Sequence, residues 1–144
     1  MIFSQATFAY NCQNYALNAV KQGNAAQALF CGYTGSGWIA TWQAHFDWCN
    51  SVPIDRALGE DNIRKYDLKT CIMKAYPNFK CSTYANHAVW QNNANHYLGC
   101  GFTGGGWQSN YAAHRNWCSS VADRSAPYYQ DSDRKRLLIE CIYR

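Results

Sequence analysis

The chain has 144 residues, with 13 basic and 9 acidic side chains and a formal net charge of +4. So small an excess, with one tight basic cluster at Arg134-Lys135-Arg136 that reads as a solvated helix face, argues against a nucleic-acid stripe. No apolar run approaches the length of a transmembrane helix, so no membrane insertion is expected.

In chain order, Met1 to Asn11 shows neither a basic start nor an apolar run, and reads as the beginning of a mature chain. After the lead-in Ala6 to Asn11, Cys12, Tyr15, Ala16, Ala19 and Gly23 fall on one stripe at helical spacing. The spacing predicts a helix that ends near Gln22. Gly23 would then turn in the left-handed conformation, and Asn24 with Gln27 would cap a short second helix. Next comes Cys31-Gly-Tyr-Thr-Gly-Ser-Gly-Trp38, a glycine-rich loop, and then a predicted helix carrying Trp38, Trp42, His45 and Cys49 on one narrow stripe. Pro53 marks a helix start, Asp55-Arg56 anchors the first turn, and Ile63 to Lys74 is predicted as the helix that carries Cys71.

The chain then repeats itself. Cys12 to Val52 laid without a gap on Cys81 to Val121 gives 21 identities in 41 positions, and the four cysteines of each half are offset by 69, 69, 69 and 70 residues. The second lead-in is Ala75 to Lys80, the first helix is predicted to end near Gln91 before Asn92, the loop is Cys100-Gly-Phe-Thr-Gly-Gly-Gly-Trp107, and the last helix is Asp133 to Arg144. Pro127 lies near its start, after Asp123-Arg124. The expectation is an all-α, disulfide-rich tandem duplication: two pseudo-symmetric modules, 1–74 and 75–144, each of three to four short helices.

A module of about 70 residues has little core and needs staples. Eight cysteines supply them and point to an oxidising compartment, hence to a secreted protein. If the first two helices run antiparallel, the start of one meets the end of the other. That pairs Cys12 with Cys49 and Cys31 with Cys71, and by the repeat Cys81 with Cys118 and Cys100 with Cys141.

The remaining signal is 6 Trp, 11 Tyr and 6 Phe among many amides, the combination that a neutral, hydroxyl-rich ligand requires. Glycine-rich loops free backbone N–H groups for an oxygen-rich ligand. The candidate ligand-binding residues are therefore Gln22, Asn24, Thr34, Gly35, Gly37, Trp38 and His45 in the first half. Their counterparts are Gln91, Asn93, Thr103, Gly104, Gly106, Trp107 and His114. Trp48 and Trp117, beside cysteines, are assigned to the core, and His45 and His114 also read as buried, hydrogen-bonded histidines. His45 has Asp47 nearby where His114 has Asn116, so the copies disagree on any partner carboxylate, and no catalytic motif appears. A Cys3His zinc set from Cys12, Cys31, His45 and Cys49 lacks the close cysteine pair of most structural zinc sites. The expectation is a bivalent lectin binding glycans or glycoconjugates, with no cofactor or metal. The alternatives are a toxin-like or inhibitory protein that binds a protein partner, and a small hydrolase using His45 or His114.

Overall fold

The computed structural model describes residues 11–75 and 79–144, and among them every regular element is helical. In order these are α1 (Cys12–Ala28), a 3-10 turn (Ser36–Trp38), α2 (Trp42–Ser51), α3 (Ile54–Ile72), α4 (Cys81–Leu98), α5 (Tyr111–Ser120) and α6 (Ala126–Ile142). Most of the first lead-in with the amino-terminal stretch read for a leader, and half of the second lead-in, lie outside the described residues. No described helix is long and apolar enough to cross a membrane.

α1 packs on α2 and α3, α4 packs on α5 and α6, and the halves meet through α1 against α4 and α3 against α6. Asn11 caps α1 by accepting from Asn14 N at 2.9 Å, and Asn110 caps α5 by accepting from Ala113 N at 3.1 Å. The principal core draws on both halves: Ala26, Leu68 and Ile72 with Cys100, Leu138 and Ile142.

The disulfides are Cys12–Cys49, Cys31–Cys71, Cys81–Cys118 and Cys100–Cys141, the pairing that antiparallel helices predict. They join residues 37 to 41 positions apart. Loops of that length stabilise by about 4 kcal/mol each in the chain-entropy treatment. Every cysteine is oxidised, so a Cys3His site has no thiolate to use.

Three helix boundaries differ from the sequence expectation. α1 and α4 do not stop at Gln22 and Gln91 but run on to Ala28 and Leu98, so Asn24 and Gln27 cap nothing. Gly23 lies inside α1 for proximity rather than for a turn: a Cβ there would stand 2.8 Å from the Trp38 carbonyl oxygen. The left-handed residues that end these two helices are Phe30 (φ 57°) and Gly99 (φ 68°), where Cys31 N and Cys100 N reach back to the carbonyls of Ala26 and Asn95 at 3.0 Å. Phe30 accepts that strained conformation with its ring 4.5 Å from Trp90 of α4. The second helices begin at Trp42 and Tyr111, so Trp38 and Trp107 belong to the loops. Helices start at Pro53 and beside Pro127 as expected, but each runs on unbroken through Ile63 or Asp133, so the cysteine-bearing segments are the later turns of longer helices, Ile54–Ile72 and Ala126–Ile142.

Buried polar side chains form one network in each half. Gln22 Nε2 donates to Asp61 Oδ1 at 2.9 Å, and Arg64 Nε donates to Gln22 Oε1 at 2.8 Å. Arg64 Nη1 donates to the Tyr15 hydroxyl at 3.2 Å and the Gly37 carbonyl at 3.4 Å. In the second half Gln91 donates to Asp131 at 2.9 Å, Arg134 Nε donates to Gln91 Oε1 at 2.7 Å, and Arg134 Nη1 donates to the Gly106 carbonyl at 3.3 Å. Asp61 and Asp131 also pair with Lys65 and Lys135 one turn on. The basic cluster is therefore a solvated face only in part: Arg136 is exposed, whereas Arg134 is 2% exposed.

Two glycines test this packing with opposite signs. Gly23→Ala must push the Trp38 backbone away and should lower stability by about 1–3 kcal/mol. Gly59→Ala, in α3 with no atom within 4 Å of its Cβ position, should raise it by about 0.5–1 kcal/mol. Urea denaturation of the oxidised variants measures both.

Candidate functional site

Each glycine-rich loop is held against the third helix of its own half. Tyr33 stacks on Trp38 with centroids 4.7 Å apart and donates its hydroxyl to the Asp67 carbonyl at 2.7 Å. In the second half Phe102 lies 4.8 Å from Trp107, and Asn95 clamps its backbone, donating to the Phe102 carbonyl at 2.8 Å and accepting from its N–H at 3.0 Å. Gly35 (φ 100°) and Gly104 (φ 111°) take a conformation closed to other residues, while Thr34 and Thr103 stand in solvent.

The loops diverge beyond this point. Asn92 occupies the place of Gly23, so the second loop cannot repeat the 2.8 Å approach. Asn92 Nδ2 instead donates to Ser109 Oγ at 3.0 Å, and that hydroxyl donates to Asn93 Oδ1 at 2.9 Å. Ser36–Trp38 forms a 3-10 turn, while the second loop makes a turn of another kind at Gly105 and Gly106.

Beside the second loop lies a cleft of about 340 Å³ lined by Tyr84, Gly105, Gly106, Gln108, Ala113, His114, Trp117 and Gln130. Of the residues singled out from sequence, the cleft gathers Gly106 and His114. Trp117, expected in the core, is 36% exposed and forms one wall. Trp38 and Trp107 are half-buried and pack on the principal core. Gln22 and Gln91 are spent in the buried networks. Asn93 meets the end of the second loop through Ser109 Oγ, and Asn24 and Asn93 both line a groove between α1 and α4 with Gln27, Phe30, His96 and Tyr97.

His45 and His114 are buried, each with Nε2 2.7 Å from a carbonyl, of Ile39 and Gln108 respectively. A carbonyl only accepts, so Nε2 carries the proton in both. Their rings meet Tyr15 and Tyr84 edge-on. Burial pushes both pKa values below the ordinary 6.5, the carbonyl bond opposes this, and the charges of Arg64 and Arg134 add to the lowering. Asp47 is no partner to His45 in the hydrogen-bond pattern; it accepts from Gln43 at 2.8 Å.

Sequence reading missed Asp61, Arg64, Asp131 and Arg134. The signal was available: Asp-x2-Arg-Lys-x2-Leu-x2-Cys-Ile occurs at 61–72 and again at 131–142, offset by 70 rather than 69. The chain matches no family model, no curated protein and no solved structure.

The histidines set a pH dependence. A base with a lowered folded pKa binds its proton more readily in the unfolded state, so stability is present above about pH 6.5 and is lost as pH falls through that value toward the folded pKa. His45, His87 and His114 are all lowered chiefly by burial. The denaturation midpoint should fall between about pH 7 and pH 5, and His45→Gln with His114→Gln should flatten that fall. An unchanged slope in the double variant contradicts the assignment.

Proposed function

We propose that this chain is a secreted carbohydrate-binding protein, built as a tandem duplication, that seats a glycan at the glycine-rich loop of each half. The second-half cleft carries the proposal. An exposed tryptophan face, the side-chain amides of Gln108 and Gln130, and loop backbone at Gly105 and Gly106 surround a cavity of about 340 Å³. An aromatic face for sugar C–H groups and a few convergent amides for hydroxyls make a sugar-sized recognition surface. Gln108 is already oriented, because its Nε2 donates to the Gly105 carbonyl at 2.8 Å and leaves Oε1 to accept. In the first half the matching positions are Gly37, Ile39, His45 and Trp48, with Trp48 lying 5.6 Å from Tyr15. Two seats on one chain gain avidity on a multivalent surface.

A second reading, capture of a protein partner, is favoured by one observation. Phe30 (69% exposed) and Tyr97 stand at the groove between α1 and α4. A hydrolase finds less support, since the Nε2 of each candidate histidine is engaged with a backbone carbonyl.

On a glycan array, Trp117→Ala should reduce binding about tenfold, the loss of one aromatic face. Trp107→Ala should instead lower the denaturation midpoint, because its ring belongs to the core. An array without signal, together with tight capture of a protein partner that Phe30→Ala abolishes, would favour the second reading.

A further inference from the structure

The two halves differ by one charge beside the buried arginine. Asp61, Arg64 and Lys65 recur as Asp131, Arg134 and Lys135, so each network holds two cations against one carboxylate. In each, the arginine Nη2 is buried without a hydrogen-bond partner among the described residues. In the first half Glu60 stands one turn before Arg64 in α3, a further negative charge on that helix. It is half-buried and near enough to Tyr15 that, after burial, its charge helps to raise the phenol's pKa, and Tyr15 accepts from Arg64.

The second half has Gln130 at that position. Gln130 Oε1 and Arg134 Nη1 flank Gly106, at 3.6 and 3.7 Å from its Cβ position. Arg134 lies directly behind the cleft wall: its guanidinium carbon is 5.0 Å from the Tyr84 ring centroid, and Nη1 holds the Gly106 carbonyl. Its charge also reaches the cleft at His114, where it adds to the effect of burial. A cation one residue deep behind a cleft, with no carboxylate in front of it, favours a ligand that brings one.

We infer that the second-half cleft takes an acidic glycan, one bearing a uronic- or sialic-acid carboxylate, which seats where Gln130 replaces the Glu60 of the first half. This rests on the proposed carbohydrate function and assigns unlike ligands to the two halves: acidic in the second, neutral in the first.

The test is a glycan array of galacturonate, glucuronate, mannuronate and sialic-acid oligosaccharides, each paired with its carboxyl methyl ester, alongside neutral glycans. The oxidised full-length chain should bind at least one acid about tenfold more tightly than its ester, the scale of one unit charge at this depth. Gln130→Glu should erase that difference without loss of thermal stability. Equal binding of acid and ester, or a preference that survives in Gln130→Glu, overturns the inference and leaves the carbohydrate function standing. An array silent to acidic, esterified and neutral glycans alike overturns both.

Discussion

A guanidinium group out of reach of water organises each half of this chain. Arg64 and Arg134 come from the third helix of their half, donate to a glutamine on the first, and hold a loop carbonyl at Gly37 or Gly106. One side chain thus fixes two helices and the glycine-rich loop relative to each other. A buried charge costs much unless its hydrogen bonds are met, and removing one partner leaves the rest uncompensated at about 3–5 kcal/mol. The short bonds to Gln22 and Gln91, at 2.8 and 2.7 Å, fix each guanidinium, and its longer contacts of 3.4 and 3.3 Å with the loop carbonyls set the loop beside that charge. The disulfides act on the same elements, with Cys31–Cys71 and Cys100–Cys141 pinning the loop starts to the ends of the third helices.

On that shared frame the halves vary at their edges. Gly23 admits the first loop against α1, whereas Asn92 has a side chain there and engages Ser109. Ala26 is simple core, whereas its counterpart Asn95 clamps the Phe102 backbone. Phe30 packs on Trp90 where Gly99 only turns. Each change alters the loop or its surroundings, while the bonds from arginine to glutamine and to the loop carbonyl recur in both halves. Recognition is expected to differ where the edges differ, with the scaffold held constant.

The cysteine pairing was legible in the sequence because it depends on helix direction alone, and the repeat allowed one deduction to serve twice. The all-α character was legible from the stripes of Tyr15, Ala16 and Ala19 and of Tyr84, Ala85 and Ala88, all of which are buried. The helix ends were not, because Gly23 looks the same whether it turns a chain or admits a neighbour, and only the Trp38 carbonyl distinguishes the two. Arg134 read as solvated because a charged side chain beside other charges has the same helical spacing on either face of a helix. Trp107 and Trp117 were assigned opposite surroundings for a related reason. Adjacency to glycine or cysteine says little about which way an indole faces.

The claim on which the functional account depends is the location of the ligand, and an amide and indole NMR titration of the oxidised chain with an array-selected glycan tests it most directly. The account predicts shifts at Gly105, Gly106, Gln108 and the Trp117 indole, with the groove residues Asn24, Asn93 and Tyr97 unmoved. Shifts confined to that groove, with Gly105 and Trp117 silent, would contradict it.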